Sequence, residues 1–207
     1  MLVIALAKGR FLAPSLGLLA RAGIRFDEEV ADSRRLVFDS ADGECQVILV
    51  KPMDVPTYVE YGAADAGIAG RDVLLESGAD VLQPLDLGFG RCQIAVAARN
   101  GESTPDGQRP IVRVATKYPR IALDHFNSKG IPCELIPLSG SIELAPLVGL
   151  ADRIVDLVET GQTLRDNGMK IVEVITESSA RLLVNRASYQ TKRRELVRLV
   201  DTLGAVR

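Results

Sequence analysis

One local pattern constrains this chain more than any other: a short apolar run, a tight turn containing glycine, and then apolar residues at helical spacing. It is clearest at residues 153–170, RIVDLVETGQTLRDNGMK. Residues 153–158 are apolar except for Arg153 and Asp156 and read as a buried strand. Glu159, Thr160, Gly161, Gln162 and Thr163 form the turn, and a short helical pattern runs to Asn167-Gly168. The same unit opens the chain. Residues 2–7 are a continuous apolar run, Lys8-Gly9-Arg10 is the turn, and residues 11–22 place Leu12, Leu16 and Leu19 at helical spacing. Strands that alternate with helices in this way define an α/β protein, with largely parallel sheets expected.

The remaining elements follow that rhythm. Strands are expected at 34–38, 45–50, 66–69, 81–85, 91–98, 111–115, 133–138, 171–175 and 181–184. Helices are expected at 53–61, 71–76, 120–129, 142–148 and 188–203. Residues 23–33 read as a loop with acidic residues from Asp27 to Glu29. Asp42-Gly43 is a hairpin turn. The polar stretch 100–110, NGESTPDGQRP, is the one linker-like segment, and the strand–helix rhythm restarts after it. Two α/β lobes are expected: residues 1–90 with 180–207, and residues 91–179. The last helix returns to the first lobe, and a ligand is expected in a cleft between the two.

Composition narrows the chemistry. Hydrophobic residues make up 47% of the 207 and aromatics only 4%, with no tryptophan, so the core must be aliphatic. A net charge of −2 lacks the basic excess of a nucleic-acid binder. No run approaches the roughly 18 apolar residues of a membrane span, and residues 2–7 read as a first strand rather than a secretion signal. Three scattered cysteines, Cys45, Cys92 and Cys133, support neither a zinc site nor a disulfide framework and fit a reducing cytoplasm. The single histidine, His125, lies away from every candidate turn, so neither a Ser-His-Asp arrangement nor a histidine metal site is available. Catalysis would have to rest on positioning and electrostatics.

The turns then become the candidate sites. The first N–H groups of a helix lack partners and carry partial positive charge, so a Thr-Gly-x-Thr turn at 160–163 suits a phosphate. Asp156 near the strand's end suits the hydroxyls of an attached sugar. The alternative is that Thr160 only caps a helix and Asn167-Gly168 only ends it. Lys8 and Arg10, at a strand's carboxyl end, suit a polyanion or are solvated charges. Arg34 points at a ligand or at solvent. Ser139-Gly140-Ser141 is a further anion turn, and Glu143 after it is either a first-turn acid favouring the helix dipole or a ligand to sugar hydroxyls. The small residues of 62–70, GAADAGIAG, let backbone approach a flat ligand without forming a dinucleotide fingerprint.

Several stretches together carry a resemblance: ALAKGR at 5–10, SRRLVF at 33–38, DVPTYVEYGAADAGIAGRDVL at 54–74, ATKYP at 115–119, GSIELAPLVGLADRIVDLVETGQTLRDNG at 140–168, and ARLLVNRASY at 180–189. In this order they resemble the short form of the ATP phosphoribosyltransferase catalytic subunit, which performs the first step of histidine biosynthesis. The resemblance implies two α/β lobes like the type II periplasmic binding proteins. It implies attack of N1 of ATP on C1 of phosphoribosyl pyrophosphate (PRPP), with Mg²⁺ required. It implies that Asp156, Glu159, Thr160, Gly161, Gln162 and Thr163 bind the phosphoribosyl part, with Glu143 near the ribose. Lys8, Arg10 and Arg34 would then lie at the pyrophosphate and ATP phosphates, as catalytic cations. Ala69, Gly70 and Arg71 would lie near the nucleotide. No protein side chain is assigned to the metal. The chain has no room for the C-terminal histidine-binding domain of longer relatives. The resemblance therefore implies a catalytic homodimer that joins a histidyl-tRNA-synthetase-like regulatory subunit in a hetero-octamer, cytoplasmic and independent of nucleic acid or membrane. The rival class is a ligand-binding receptor or regulator on the same fold. Its expected signals, a secretion leader or a DNA-binding helix-turn-helix, are not found in the sequence.

Overall fold

The computed structural model describes residues 1–26, 30–31, 33–102 and 106–207. The acidic stretch from Asp27 to Glu29 and part of the 100–110 segment lie outside them. The chain forms two compact units, Met1–Gly90 with Ser179–Arg207, and Arg91–Ser178.

The first unit begins with β1 (Leu2–Ala7), α1 (Leu12–Arg21), β2 (Val37–Asp39), β3 (Cys45–Val50), α2 (Val55–Glu60), β4 (Ala66–Gly70), α3 (Arg71–Ser77) and β5 (Leu82–Asp86). The second holds β6 (Cys92–Arg99), β7 (Val112–Thr116), α4 (Pro119–Ser128), β8 (Cys133–Pro137), α5 (Leu144–Leu147), β9 (Arg153–Val158), α6 (Gln162–Asp166) and β10 (Met169–Ser178). The chain then returns to the first unit with β11 (Ala180–Val184), α7 (Arg186–Thr191) and α8 (Arg193–Val206).

The first unit's sheet has the order β2-β3-β1-β4-β11-β5. β3, β1 and β4 pair parallel; β2 and β11 run against them, and β5 pairs antiparallel to β11. The central strands are apolar because both faces are covered. In β4 every residue is buried, and the reason for its small side chains is direct. A Cβ on Gly67 would lie 2.8 Å from a Val59 methyl and 2.9 Å from a Val55 methyl, so α2 rests on the strand itself. The return of the C-terminal segment is fastened by Asp65. Its buried carboxylate accepts hydrogen bonds from the Val3 N–H (2.9 Å), the Ser188 hydroxyl (2.7 Å) and the Lys192 ammonium (2.8 Å).

The second unit's sheet has the order β10-β6-β9-β7-β8, with β9, β7 and β8 parallel and β10 and β6 antiparallel. One face carries Ala95, Ala97, Ala115 and Ile154 under Ala145 and Leu164 of α5 and α6. The other carries Ile94, Val96, Val112 and Val114 under Ile121, Ala122 and Phe126 of α4.

Several expectations are corrected. The sheets are mixed rather than largely parallel, because β11 and β2 in the first unit and β6 in the second run against the parallel set. The strand expected at 34–38 is only Val37–Asp39; Phe38 alone of the segment 34–39 is buried, so the exposed residues before Val37 add no inward side chain that would extend the strand. The helix expected at 142–148 is one turn, Leu144–Leu147, closed by Gly149 at φ +75°. The helix expected at 188–203 is two, broken where Lys192 leaves helical geometry (φ −121°, ψ 37°). The segment 100–110 does not divide the units; it joins β6 to β7 inside the second. His125 belongs to a surface cluster on α4 and β10, with its Nε2 3.4 Å from a Glu173 carboxylate oxygen that also pairs with Lys129.

Candidate active site

In the second unit, the parallel set β8, β7 and β9 brings three turns to one sheet edge. Thr116 faces Pro137 on one side and Val155 on the other, so β7 and β8 end together, while β9 runs three residues further in the same direction, to Val158. The exits are the 117–118 turn, the 138–141 turn and the 159–163 loop. Carboxyl ends of parallel strands are the usual ligand edge of α/β sheets.

The 159–163 loop is shaped by Gly161, whose φ of +72° is left-handed and opens α6. The Gln162 N–H donates to the Thr160 hydroxyl oxygen at 3.3 Å, which leaves the Thr160 proton able to donate outward. Arg165 braces the loop from within, donating to the Thr160 carbonyl (3.1 Å) and to the Gln162 side-chain oxygen (2.9 Å). The Gln162 amide nitrogen donates to Asp166 at 2.5 Å. The Gln162 side chain is thus spent on the loop's own shape. Glu159, Thr160, Gln162 and Thr163 are exposed.

Asp156 lies half-buried in β9, one oxygen accepting the Leu157 N–H at 2.8 Å. Burial pushes its carboxyl above the ordinary range; the Leu157 N–H and the Lys117 charge oppose this, and the Glu143 charge adds to it. Glu143, half-buried, sits at the start of α5. Ser141, just before it, has φ +50°, and among the described residues no other non-glycine has positive φ. Such strain collects where a fixed backbone shape is needed.

In the first unit, β3, β1 and β4 form the corresponding edge. Lys8 donates its N–H to the Val50 carbonyl at 2.9 Å, so the Lys8-Gly9-Arg10 turn sits beside the end of β3. Lys8 and Arg10 are exposed, and the Arg10 guanidinium lies 5.1 Å over the Phe11 ring. Ala69 and Gly70 end β4, and the Arg71 N–H donates to the Ser179 carbonyl at 3.0 Å. A Cβ on Gly70 would lie 2.1 Å from a carboxylate oxygen of buried Asp72, which accounts for this glycine by packing. Because β2 runs antiparallel to β3, exposed Arg34 enters at the same edge, before Val37 pairs with Ile48. Lys51, exposed at the end of β3, joins this basic edge without any motif of its own. In the second unit Thr116 and Lys117 lie in the ATKYP stretch at 115–119, to which the sequence alone assigns no role; the register shows their place.

Solved structures fix the class first. The chain is similar to the alkanesulfonate-binding protein SsuA from Xanthomonas axonopodis pv. citri bound to MOPS, with a TM-score of 0.57 and 14% identity over 99% of this chain and 72% of that one. It also resembles the BvgS VFT2 domain of Bordetella pertussis, with a TM-score of 0.60 and 13% identity over 100% of this chain and 88% of that one. The fold is therefore the two-lobed, type II periplasmic-binding-protein-like one. A much nearer likeness, with a TM-score of 0.88 and 37% identity over 100% of this chain and 98% of that one, is to the ATP phosphoribosyl transferase (HisG:HisZ) complex from Thermotoga maritima. The family model of ATP phosphoribosyltransferase matches residues 51–205. The ATP phosphoribosyltransferase of Sorangium cellulosum is 52% identical over 99% of this chain and 95% of that protein. That of Geobacillus kaustophilus is 51% identical over 100% of this chain and 98% of that protein.

The chain belongs to the ATP phosphoribosyltransferase family. It is a pentosyltransferase that moves phosphoribosyl from PRPP to ATP in the first step of histidine biosynthesis.

Proposed function

We propose that the 159–163 loop, Asp156 and Glu143 hold the phosphoribosyl part of PRPP, and that the basic edge of the first unit handles the polyphosphates. The observation that carries this is the convergence of the 138–141 turn, Asp156 and the left-handed Gly161 loop at one sheet edge. Thr160 and Thr163 offer hydroxyls and Gly161 its backbone to the 5-phosphate, while Glu159 borders it. Gln162 contributes through the loop shape that its side chain secures. Asp156 accepts hydrogen bonds from the ribose hydroxyls, with Glu143 beside the ring.

The reaction is attack of the adenine N1 lone pair on C1 of the ribose, with the C1–O bond to pyrophosphate breaking and the pair leaving on pyrophosphate. N1 carries no proton that must be removed first, so no strong general base is required. Positive charge grows on the ribose and negative charge on the leaving group. Lys8, Arg10 and Arg34 stabilise the latter, and Ala69, Gly70 and Arg71 border the nucleotide. Among the described residues no three His, Cys, Asp or Glu side chains group to hold an ion. Mg²⁺ commonly binds through substrate phosphates and its own waters, and we infer that it enters with PRPP as part of the substrate. Bound there, it neutralises charge on the pyrophosphate.

The similarity to a chain of the HisG:HisZ complex supports a regulatory partner for this chain; we infer that it is histidyl-tRNA-synthetase-like and assembles with catalytic dimers into a hetero-octamer. Among the described residues no helix is long and apolar enough to cross a membrane, in keeping with a cytoplasmic biosynthetic enzyme. The site assignment is tested with Thr160→Ala combined with Thr163→Ala. The PRPP dissociation constant should rise about tenfold or more, as for lost hydrogen bonds to a charged group. An unchanged constant contradicts the assignment.

A further inference from the structure

The ligand edge of the second unit carries a cation that the roles above leave unused. Lys117 follows β7 directly and is exposed. Its backbone is held by Thr116, which is fully buried. The Thr116 carbonyl accepts the Leu138 N–H at 2.9 Å. Its hydroxyl donates to the Val155 carbonyl at 2.7 Å and accepts the Tyr118 N–H at 2.8 Å. One residue thus ties the end of β7 to the 138–141 turn, to β9 one position before Asp156, and to the turn that presents Lys117. A buried hydroxyl with donor and acceptor roles both filled has one orientation. In the register, Thr116 faces Val155 and Pro137, so the next residues out are Lys117, Asp156 and Leu138. Lys117 lies within electrostatic reach of Asp156.

The phosphate loop needs such a charge. The basic residue inside it, Arg165, is turned onto the Thr160 carbonyl and the Gln162 side chain. The loop therefore offers a phosphate dianion neutral donors, while acidic Asp156 and Glu143 stand beside it. We propose that Lys117 is a substrate-binding residue whose ammonium pairs with the 5-phosphate of PRPP, and that Thr116 is the positioning residue that holds it there. This rests on the placement of PRPP argued above.

The test is titration calorimetry of the full chain with PRPP and, separately, ATP. Lys117→Ala should weaken PRPP binding about ten- to a hundredfold, the loss of one charge-assisted bond, and leave ATP binding within about twofold. Lys117→Arg should restore most of the affinity. Thr116→Val should weaken PRPP in the same direction, and Thr116→Ser, which keeps the hydroxyl, should bind as the wild type does. Competition by ribose 5-phosphate should weaken with Lys117→Ala, and competition by pyrophosphate should not. Wild-type affinity for PRPP in Lys117→Ala overturns the inference while leaving the PRPP site standing. A loss against pyrophosphate instead of ribose 5-phosphate overturns the 5-phosphate pairing. A wild-type chain that does not bind PRPP overturns the inference and the site assignment together.

Discussion

Asp156→Asn separates function from stability more sharply than any other single change. The carboxylate is half-buried, and its desolvation outweighs the Leu157 N–H bond and the Lys117 charge, so its carboxyl titrates above the ordinary range. For an acid with a raised folded-state value, the stability contribution is full below the unfolded value and is lost as pH rises through the folded one. At neutral pH the ligand-free protein therefore carries a cost. Asparagine keeps an oxygen for the Leu157 N–H and removes the charge. The expected gain is about 1 kcal/mol, typical of relieving a functional-site strain, or roughly 2–4 °C in Tm for a chain of this size. The gain should shrink as pH falls toward the ordinary carboxylate range, where the wild-type group is also neutral. PRPP binding should move the other way, weakening about ten- to a hundredfold as bonds from ribose hydroxyls to a charged acceptor are lost. Thermal melts at neutral and acid pH, with calorimetric titration of PRPP, read both effects. A lower Tm at neutral pH, or unchanged PRPP affinity, refutes the reasoning.

Asp65→Ala should cost about 3 kcal/mol and lower Tm by roughly 6–12 °C, because it leaves partners of a buried carboxylate unmatched. Burial alone would raise the Asp65 carboxyl, but the bonds from Lys192, Val3 and Ser188 outweigh it and hold the carboxyl below the ordinary range. Its stabilisation is thus present above the ordinary range and lost as pH falls through the depressed value, so melts of variant and wild type should converge in acid. Gly161→Ala forces a side chain onto a φ of +72° and places a Cβ 3.1 Å from the Arg165 guanidinium. It should raise the PRPP dissociation constant about tenfold, as for roughly 1–2 kcal/mol of left-handed strain. Arg10→Ala and Arg34→Ala should each lower turnover on the order of 10²–10³-fold, as for one lost transition-state donor, and wild-type kinetics would remove them from the mechanism.

The parts of this fold that local pattern controls were legible in the sequence. β9 is a continuous apolar run between turn residues, and its observed span, Arg153–Val158, is the expected one. The Gly161 turn was marked by the glycine itself. What escaped is what only pairing decides. Nothing in residues 171–175 says that β10 extends to Met169–Ser178 with two irregularities against β6, because a neighbouring strand supplies that order. Lys192 sits inside an amphipathic pattern, yet the helix breaks there and its ammonium bonds to Asp65, a residue 127 positions away. The site divides in the same way. Asp156 and Thr160 lie in a turn whose chemistry is local, whereas Thr116, although inside ATKYP, takes its place from three hydrogen bonds that reach residues 2, 22 and 39 positions away.

The most direct test of the central claim mixes the protein with ATP, PRPP and Mg²⁺, with the proposed regulatory subunit present, and follows ultraviolet absorbance for the N1-substituted adenine. Product growth should require all three small molecules, be lost when another base replaces ATP, and fall in Thr160→Ala with Thr163→Ala. Absence of product from the intact assembly, or equal transfer to other bases, would contradict that claim.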